Sequence, residues 1–314
     1  MVRRCTLLAA MMLTLMAGCR REEPARTPDA PEAPTSAQVK TELHYTLVRT
    51  LDSGLERLSG VAVDSSDRVY LVGTGGVRVT NAQGNLISSW PTCGPAKCAA
   101  VDADNRAYVA LQNKIEKYDK DGKLLASWGT GANGSIALQI VSGIAVFGPN
   151  VYVADAGARC IERYDVTGDF IDDIGRRRAG SDGMVCPSPF LDCAVDENGF
   201  LYVNNPGLCR VEKYDQNGER VGMWGNPGDK PEDFSGCCNP SNIALLPSGR
   251  VVTAEKVTPR VKVYDAKGVM LAYIGPEYFS KMAEGLDLAV NSKGDIYVVD
   301  PGANKLLVFS PVKP

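Results

Sequence analysis

The chain repeats one pattern of short strands six times, and this repetition constrains its fold more than any other feature. Each unit opens with a short apolar run such as 60–64, continues through strands such as 151–155 and 161–165, and ends in a fourth strand. One alanine of the opening run recurs in every unit, as Ala62, Ala100, Ala145, Ala194, Ala244 and Ala289. A period of about 40 to 50 residues built from four strands is typical of a β-propeller.

Turn residues mark the hairpin between the third and fourth strands. These hairpins start with Asp or Asn, which bonds back to the backbone, and end with Gly, which supplies the positive φ of a tight turn. Five units close their fourth strands at Trp90, Trp128, Ile174, Trp224 and Ile274, whereas the sixth stops after its third strand, 306–309. Because an unpaired edge is avoided in natural sheets, we predict that the segment 45–49 completes the last blade. The predicted fold is all-β, a six-bladed propeller of four-stranded antiparallel blades closed by the N-terminal strand.

Two of the units resemble the NHL repeat. The resemblance lies in 142–146, 151–157 and 161–165 of the third unit and in 297–306 of the sixth, and it extends over roughly residues 44–310. It departs from the family at Ala158 and Cys160, where Asn and Arg are common. The resemblance implies a six-bladed propeller at 41–314, of a class that mostly docks proteins, peptides or glycans and includes a minority of enzymes. It therefore implies an architecture and no particular reaction.

Residues 1–18 have the composition of a secretory signal. Two arginines precede an apolar stretch, 6–16, which is shorter than the about 20 residues that a membrane span requires. The segment ends Leu-Met-Ala-Gly before Cys19, and this ending resembles the lipobox of bacterial lipoproteins. The resemblance implies that Cys19 is lipidated after cleavage, and Arg20 implies outer-membrane sorting in a cell with two membranes. The alternative is an ordinary secretory signal followed by a chance cysteine.

The segment 19–40 is rich in Pro, Glu, Ala and Thr without apolar periodicity, which predicts a disordered tether. Loss of the signal takes the formal net charge from −3 to −5, which gives no reason to expect a nucleic-acid partner. The basic run 176–178 is interpreted as a solvated loop rather than an anion site. We expect the protein outside the cytoplasm, facing the periplasm or the cell surface and held at the membrane by its lipid anchor only.

Apart from Cys5 in the signal and Cys19, eight cysteines remain, and all map to one face of the predicted propeller. They are Cys93, Cys98, Cys186, Cys193, Cys237 and Cys238, in or beside the connections between blades, and Cys160 and Cys209, in the loops between second and third strands. An even number in a secreted chain indicates disulfides, each worth about 2 to 4 kcal/mol. Cys237 and Cys238 are expected to face different partners, because adjacent residues rarely meet disulfide geometry.

Two other states of these thiols stay open. Clustered thiolates suit a soft metal or a redox centre, and buried cysteines also occur as free structural thiols. Against a metal centre, the sequence has no Cys-x-x-Cys pair, and its one histidine, His44, lies on the closing strand. No cofactor is expected from these patterns, and a thiolate-bound metal is the alternative.

The residue that opens the first strand of each unit gives a second candidate site. This position holds, in chain order, Gly60, Cys98, Gly143, Asp192, Asn242 and Asp287. Three consecutive blades thus bring oxygen ligands to the channel mouth, and such ligands suit Ca²⁺ or a similar cation. The alternative is that Asp192, Asn242 and Asp287 cap strand starts and bond to neighbouring backbone.

Binding is the function that the sequence favours. A tethered ring with a loop-rich face stabilised by disulfides suits an envelope protein, a peptide or another ligand, and we expect it to act as a monomer. The alternatives are a metal-dependent enzyme at the channel mouth, similar to a lyase or lactonase, and a thiolate metal or redox protein. An enzyme is the less expected of these, because one histidine cannot supply the His-based metal set that the resemblance to such lyases would imply.

Overall fold

Six separate four-stranded antiparallel sheets make up the described part of the chain. The structure is a computed structural model that describes residues 33–131, 137–281 and 284–312. Each sheet is one blade, so the predicted six-bladed β-propeller is confirmed. The predicted signal, Cys19 and most of the predicted tether lie outside the described residues. Within them, no helix is long and apolar enough to cross a membrane.

The blades share one strand order from the central channel outward. The first strands line the channel and are β2 (Arg57–Val63), β6 (Cys98–Val101), β10 (Val141–Phe147), β14 (Cys193–Val195), β18 (Asn242–Leu245) and β22 (Leu288–Val290). The second strands are β3 (Val69–Thr74), β7 (Ala107–Ala110), β11 (Asn150–Asp155), β15 (Leu201–Asn205), β19 (Val251–Glu255) and β23 (Ile296–Asp300). The third strands are β4 (Gly76–Thr80), β8 (Ile115–Tyr118), β12 (Cys160–Asp165), β16 (Arg210–Tyr214), β20 (Arg260–Tyr264) and β24 (Lys305–Pro311). The fourth strands are β5 (Leu86–Trp90), β9 (Leu124–Trp128), β13 (Phe170–Ile174), β17 (Arg220–Trp224), β21 (Met270–Ile274) and, in blade 6, β1 (Tyr45–Asp52).

An apolar cluster fills each interface between neighbouring blades. The interface that closes the ring joins Leu58 and Val61 of blade 1 to Tyr297 and Leu306 of blade 6, and all four side chains are buried. Because every blade buries both faces against neighbours, the ring has no terminal blade with an uncovered face.

The N-terminal strand β1 completes blade 6, as the sequence predicts. It pairs antiparallel with β24 from Tyr45 opposite Pro311 to Asp52 opposite Lys305. The first and last strands of the domain are therefore neighbours in one sheet, and hydrogen bonds between them close the ring.

The chain before β1 differs from the predicted tether. Residues 33–43 run beside the outer strand of blade 5, where the Tyr273 hydroxyl donates to the carbonyl of Pro34 (2.9 Å) and the Leu43 N–H donates to the carbonyl of Leu271 (2.8 Å). Leu271 is 8% exposed, whereas Leu86 on the outer strand of blade 1 is 52% exposed. Composition alone indicated disorder up to residue 40 because the surface that orders residues 33–40 lies in blade 5, far away in the sequence.

Candidate functional site at the channel mouth

Blade connections and the loops between second and third strands lie together on one face of the propeller, here called the connection face. In an antiparallel blade, first and third strands begin at the same end, so both kinds of segment meet there. A cavity of about 310 Å³, here called the mouth cavity, opens on this face around the channel. Residues from the connection or first-strand start of all six blades line it, including Arg57, Lys97, Ile140, Phe190, Asn242 and Glu284. Below it, a second cavity of about 220 Å³ lies between the first strands.

Asp192, Asn242 and Asp287 come together between the two cavities: Asn242 and Asp287 line the mouth cavity, and Asp192 and Asp287 line the one below it. The Asn242 side-chain amide donates to Asp287 Oδ1 at 3.2 Å. The other oxygen of Asp287, Oδ2, accepts from the Val61 N–H of blade 1 at 2.8 Å. The sequence position that opens the first strands therefore forms a hydrogen-bonded group in space.

Each of the two carboxylates also ties neighbouring blades together. Asp192 Oδ2 accepts from the Ile243 N–H of blade 5 at 3.0 Å, and Oδ1 accepts from the Cys193 N–H at 2.8 Å. Asp287 makes the corresponding bond from blade 6 to blade 1. These are the strand-start bonds to neighbouring backbone that the sequence analysis names as the alternative to a metal site.

Glycine at the same position in blade 3 makes room for one of these carboxylates. A Cβ atom on Gly143 would lie 2.2 Å from Asp192 Oδ1 and 2.8 Å from the Asp192 Cα. Those distances are shorter than any non-bonded contact, so a side chain there would displace Asp192. Glycine next to Asp192 is thus a packing requirement as well as a repeat feature.

Both carboxyl groups have raised pKa values. Burial and the neighbouring charge of Asp287 raise the pKa of Asp192 well above its ordinary value, although backbone donors oppose the shift. Burial raises the pKa of Asp287 to about 7, against the effect of the Val61 and Leu288 N–H groups. Around neutral pH the pair therefore holds a proton that the unfolded chain would release.

We expect this retained proton to make the fold less stable as pH rises. The unfolded carboxyls ionise near pH 4, whereas native Asp287 keeps its proton up to about pH 7, so stability falls across that window and is level above it. From this shift we expect a loss of about 2 kcal/mol between pH 5 and pH 8.

Urea unfolding at the two pH values measures this loss, with Asp287→Asn as the comparison. The amide oxygen still accepts from the Val61 N–H but does not titrate in this range, so the variant should lose less stability than the natural protein. An identical loss in both proteins would show that Asp287 does not hold the proton.

The predicted cation site stays a prediction. The three oxygen-bearing side chains do converge, but Asn242 presents its N–H₂ to Asp287 and every carboxylate oxygen already accepts a hydrogen bond. Among residues 33–131, 137–281 and 284–312, no group of three His, Cys, Asp or Glu side chains is arranged to hold a metal ion. In this structure the side chains of Asp192, Asn242 and Asp287 form hydrogen bonds that join neighbouring blades.

The eight cysteines all lie on the connection face. Cys98, Cys160 and Cys193 begin strands there, Cys209 precedes β16, and the others lie in blade connections. In the described residues all eight are free thiols, with none of these sulfurs bonded to another: Cys93, Cys98, Cys160, Cys186, Cys193, Cys209, Cys237 and Cys238. Disulfides between these loops therefore stay a prediction.

Most of the buried thiols behave as small apolar side chains. Cys98 and Cys193 are about 5% and 4% exposed and belong to the apolar clusters between blades. Burial raises the pKa of both thiols well above the ordinary value, and it raises the pKa of Cys160 to about 12. Such thiols stay protonated near neutral pH, whereas metal ligation requires the thiolate.

Cys237 and Cys238 differ from the expectation for adjacent cysteines. Their sulfur atoms lie 3.2 Å apart, so the two side chains face each other instead of two different partners. Sequence spacing alone predicts that adjacent cysteines do not bond to each other, but the turn in the connection between blades 4 and 5 orients both side chains to the same side.

Acids at the ends of second strands order loops on the connection face. Asp155 accepts from the N–H groups of Gln139 (2.7 Å) and Gly157 (2.9 Å), which belong to the preceding connection and the following loop. Asp300 likewise accepts from Ser280 at 2.7 Å and Gly302 at 3.1 Å. These acids fix the scaffold of the face.

Several side chains that line the mouth cavity could not be found from the sequence. Arg57 and Lys97 are exposed there. The Phe190 ring lies against the backbone of Gly285, where a Cβ atom would come within 2.5 Å of the ring. These residues belong to different connections and share no repeat position, so no spacing in the sequence joins them. The predicted solvated loop 176–178 is also a partner in ion pairs, because Arg176 and Arg178 contact Asp173 at 3.0 and 2.9 Å.

Comparison with known proteins finds the fold but no family. No protein-family profile and no curated protein sequence matches the chain. Among solved structures, virginiamycin B lyase from Staphylococcus aureus is similar with a TM-score of 0.55 and 15% identity, over 86% of this chain and 89% of the lyase. A catalytically inactive variant of that lyase, with quinupristin, gives a TM-score of 0.59 at 12% identity, over 86% of this chain and 100% of the other.

A third structure widens the range of similar proteins. The WD40 β-propeller domain of Doa1 is similar with a TM-score of 0.54 and 16% identity, over 81% of this chain and 78% of the domain. At such identities the likeness shows the propeller fold alone, and the NHL resemblance stays a prediction. Function has to be argued from the site itself.

Proposed function

We propose that this protein is a lipid-anchored, extracytoplasmic propeller that binds a protein or peptide partner at the mouth cavity. The observation that carries the proposal is the mouth cavity itself, where residues from the connections or first-strand starts of all six blades meet on a rigid ring. Recognition residues commonly gather on loops that a rigid scaffold positions. A monomer held by acylated Cys19 would present this face to the envelope space.

Two sides of the mouth cavity differ in chemistry. Arg57 and Lys97, from blades 1 and 2, are exposed cations, and Glu284, before blade 6, is an exposed acid. Ile140 and Phe190, from the connections into blades 3 and 4, are apolar. A matching partner would place a carboxylate on the cationic side and an apolar side chain on the other. This pattern supports an acidic peptide segment that carries a bulky apolar residue.

Enzymatic action at the channel floor is the second candidate. It is supported by the raised pKa of Asp287, to about 7, since a carboxyl of this kind suits acid or base catalysis. Binding is preferred because both carboxylates already hold neighbouring blades together through backbone N–H groups. A metal-dependent lyase or lactonase-like reaction would need those oxygens for its ion.

Site-specific photo-crosslinking in cells tests the binding proposal. A photoreactive amino acid at Lys97 should give a discrete adduct with an envelope protein or peptide, identified by mass spectrometry. The matched control is Lys293, also an exposed lysine but on the turn between first and second strands of blade 6, at the opposite face. Arg57→Glu should reduce the Lys97 adduct about tenfold, the effect of about 1.4 kcal/mol of lost charge complementarity.

Two results would contradict this proposal. Equal adducts at Lys97 and Lys293 would show that the connection face is not selective, and no adduct at either position would show that no partner occupies the mouth cavity. An adduct that is a glycan or lipid would refute a protein or peptide partner.

A further inference from the structure

A pair of adjacent thiols lies outside the mouth cavity, in the connection between blades 4 and 5. Cys237 is exposed and Cys238 is 8% exposed, and their sulfur atoms are 3.2 Å apart. A disulfide bond is about 2.0 Å long, so the two sulfurs need to approach by only about 1 Å to bond. Among the eight described cysteines, this is the pair whose sulfur atoms are in direct contact.

Side-chain hydrogen bonds fix the turn that carries the pair. The Asn239 side chain donates to the carbonyl of Ser235 at 2.7 Å and accepts from the Lys256 N–H at 2.9 Å. The Ser235 N–H in turn donates to Glu255 at 3.0 Å. Residues on both sides of the two cysteines are thus bound to the end of β19 and the loop after it, which holds the sulfurs facing each other.

A lysine lies on the buried side of the pair. Lys256 Nζ donates to Ser188 Oγ at 2.9 Å, and the Ser188 side chain is also a hydrogen-bond partner of Cys238. Although burial opposes it, hydrogen bonds with Ser188 and Cys237 and the charge of Lys256 lower the pKa of the Cys238 thiol. The bond with Cys238 raises the pKa of Cys237. One thiol is therefore accessible, and its neighbour is the better thiolate.

We propose that Cys237 and Cys238 form a reactive dithiol that closes to a disulfide between adjacent residues by exchange with a disulfide-bearing compound or protein. The proposal stands apart from the binding function, because it does not involve the mouth cavity. It also differs from disulfides that link loops, since both sulfurs belong to one turn.

The exchange has two steps that balance. Cys237, after losing its proton to solvent, attacks one sulfur of the disulfide R–S–S–R, forms a mixed disulfide and releases one R–S⁻, which takes up a proton. The Cys238 thiolate then attacks Cys237 Sγ and expels the second R–S⁻. In sum, two protein thiols are oxidised to one disulfide and R–S–S–R is reduced to two R–SH.

Digestion with trypsin places Cys237 and Cys238 in a different peptide from the neighbouring cysteines, which allows the proposal to be tested by mass spectrometry. Cleavage after arginine or lysine, except before proline, leaves Cys237 and Cys238 in the peptide 221–250, and Cys186, Cys193 and Cys209 in the peptide 179–210. The mature protein is reduced, incubated with oxidised glutathione, alkylated at intervals and digested. We expect the peptide 221–250 to become lighter by two hydrogen atoms and resistant to alkylation, without retained glutathione.

Variants separate the two steps. Cys238→Ser should keep glutathione on Cys237, because the second attack is lost, and Lys256→Met should slow loss of glutathione about tenfold, as expected for a less populated thiolate. Cys93→Ser is the matched control, since Cys93 is also an exposed cysteine in a blade connection, and it should leave closure unchanged. Thermal unfolding of each variant shows whether its fold is retained.

Three outcomes would overturn the proposal. Glutathione that persists on Cys237 in the natural protein would show that Cys238 does not attack it. A disulfide linking the peptides 221–250 and 179–210 would show that the pair bonds to Cys209 or to another cysteine of that peptide. Cys209 is positioned to compete, because its sulfur lies 3.5 Å from the carbonyl of Gly236. Full alkylation of both thiols after incubation would show that the pair is not reactive.

Discussion

Deletion of β1 is expected to cost most of the stability of the propeller, about 5 kcal/mol or more of a total that is 5 to 15 kcal/mol for typical domains. The strand pairs with β24 over its whole length and places Leu51 against the cluster that joins blades 6 and 1. Without it, β24 becomes an unpaired edge next to the seam of the ring, and such edges promote association between chains. Urea unfolding and size-exclusion chromatography should show a lower midpoint and soluble aggregates.

Removal of residues 33–43 alone is the matched control for that deletion. This segment covers the outer strand of blade 5 but supplies no strand to a blade. We expect it to cost about 1 to 2 kcal/mol, the value of a few hydrogen bonds and partly buried side chains. A peptide spanning 43–53, added to the protein that lacks β1, should restore part of the lost stability. Equal midpoints for the two deletions would contradict closure by β1.

Replacement of Glu255 by alanine is expected to lower the free energy of unfolding by about 3 to 5 kcal/mol. Glu255 is fully buried at the end of β19, with Arg260 Nε at 2.8 Å and Lys262 Nζ at 2.7 Å. Removing the carboxylate leaves two buried cations without their shared anion. Burial already lowers the pKa of Lys262 to about 8, and Glu255 opposes this shift more strongly than Asp233 does.

Urea unfolding at pH 7 measures this effect against two other substitutions. Glu197→Ala removes an exposed carboxylate and should change stability by less than about 0.5 kcal/mol. Glu255→Gln keeps the size of the side chain and should fall between the two, because the amide oxygen still accepts one hydrogen bond. A midpoint for Glu255→Ala equal to that of Glu197→Ala would show that the buried cations do not need the carboxylate.

Repetition is the reason that the fold could be predicted from the sequence. The same turn acids recur in successive units, and in the structure Asp119 accepts from the N–H groups of Asp121 and Lys123, both at 2.9 Å. The predicted ends of the fourth strands, such as Trp90 and Trp128, are the observed ends. Closure could also be predicted, because only a strand from outside the repeats could complete the sixth blade.

The site could be predicted only where it follows the repeat. Asp192, Asn242 and Asp287 share a repeat position, and the structure brings them together. Their hydrogen bonds to the backbone, however, depend on the distance between neighbouring blades, and the sequence pattern does not predict that distance. Phe190 and Lys256 lie in irregular segments of blades 4 and 5, and the Lys256 Nζ lies 4.7 Å from the Phe190 ring centre because these two blades pack side by side.

The pairing of β1 with β24 also sets the order of events in biosynthesis. A ribosome makes β1 before any other strand of the domain and β24 after all of them. The propeller therefore cannot close until β24 has been made, and β1 has no partner strand before then. A nascent chain arrested before β24 would contain the strands of five complete blades and β22 and β23 of the sixth, with β1 still unpaired.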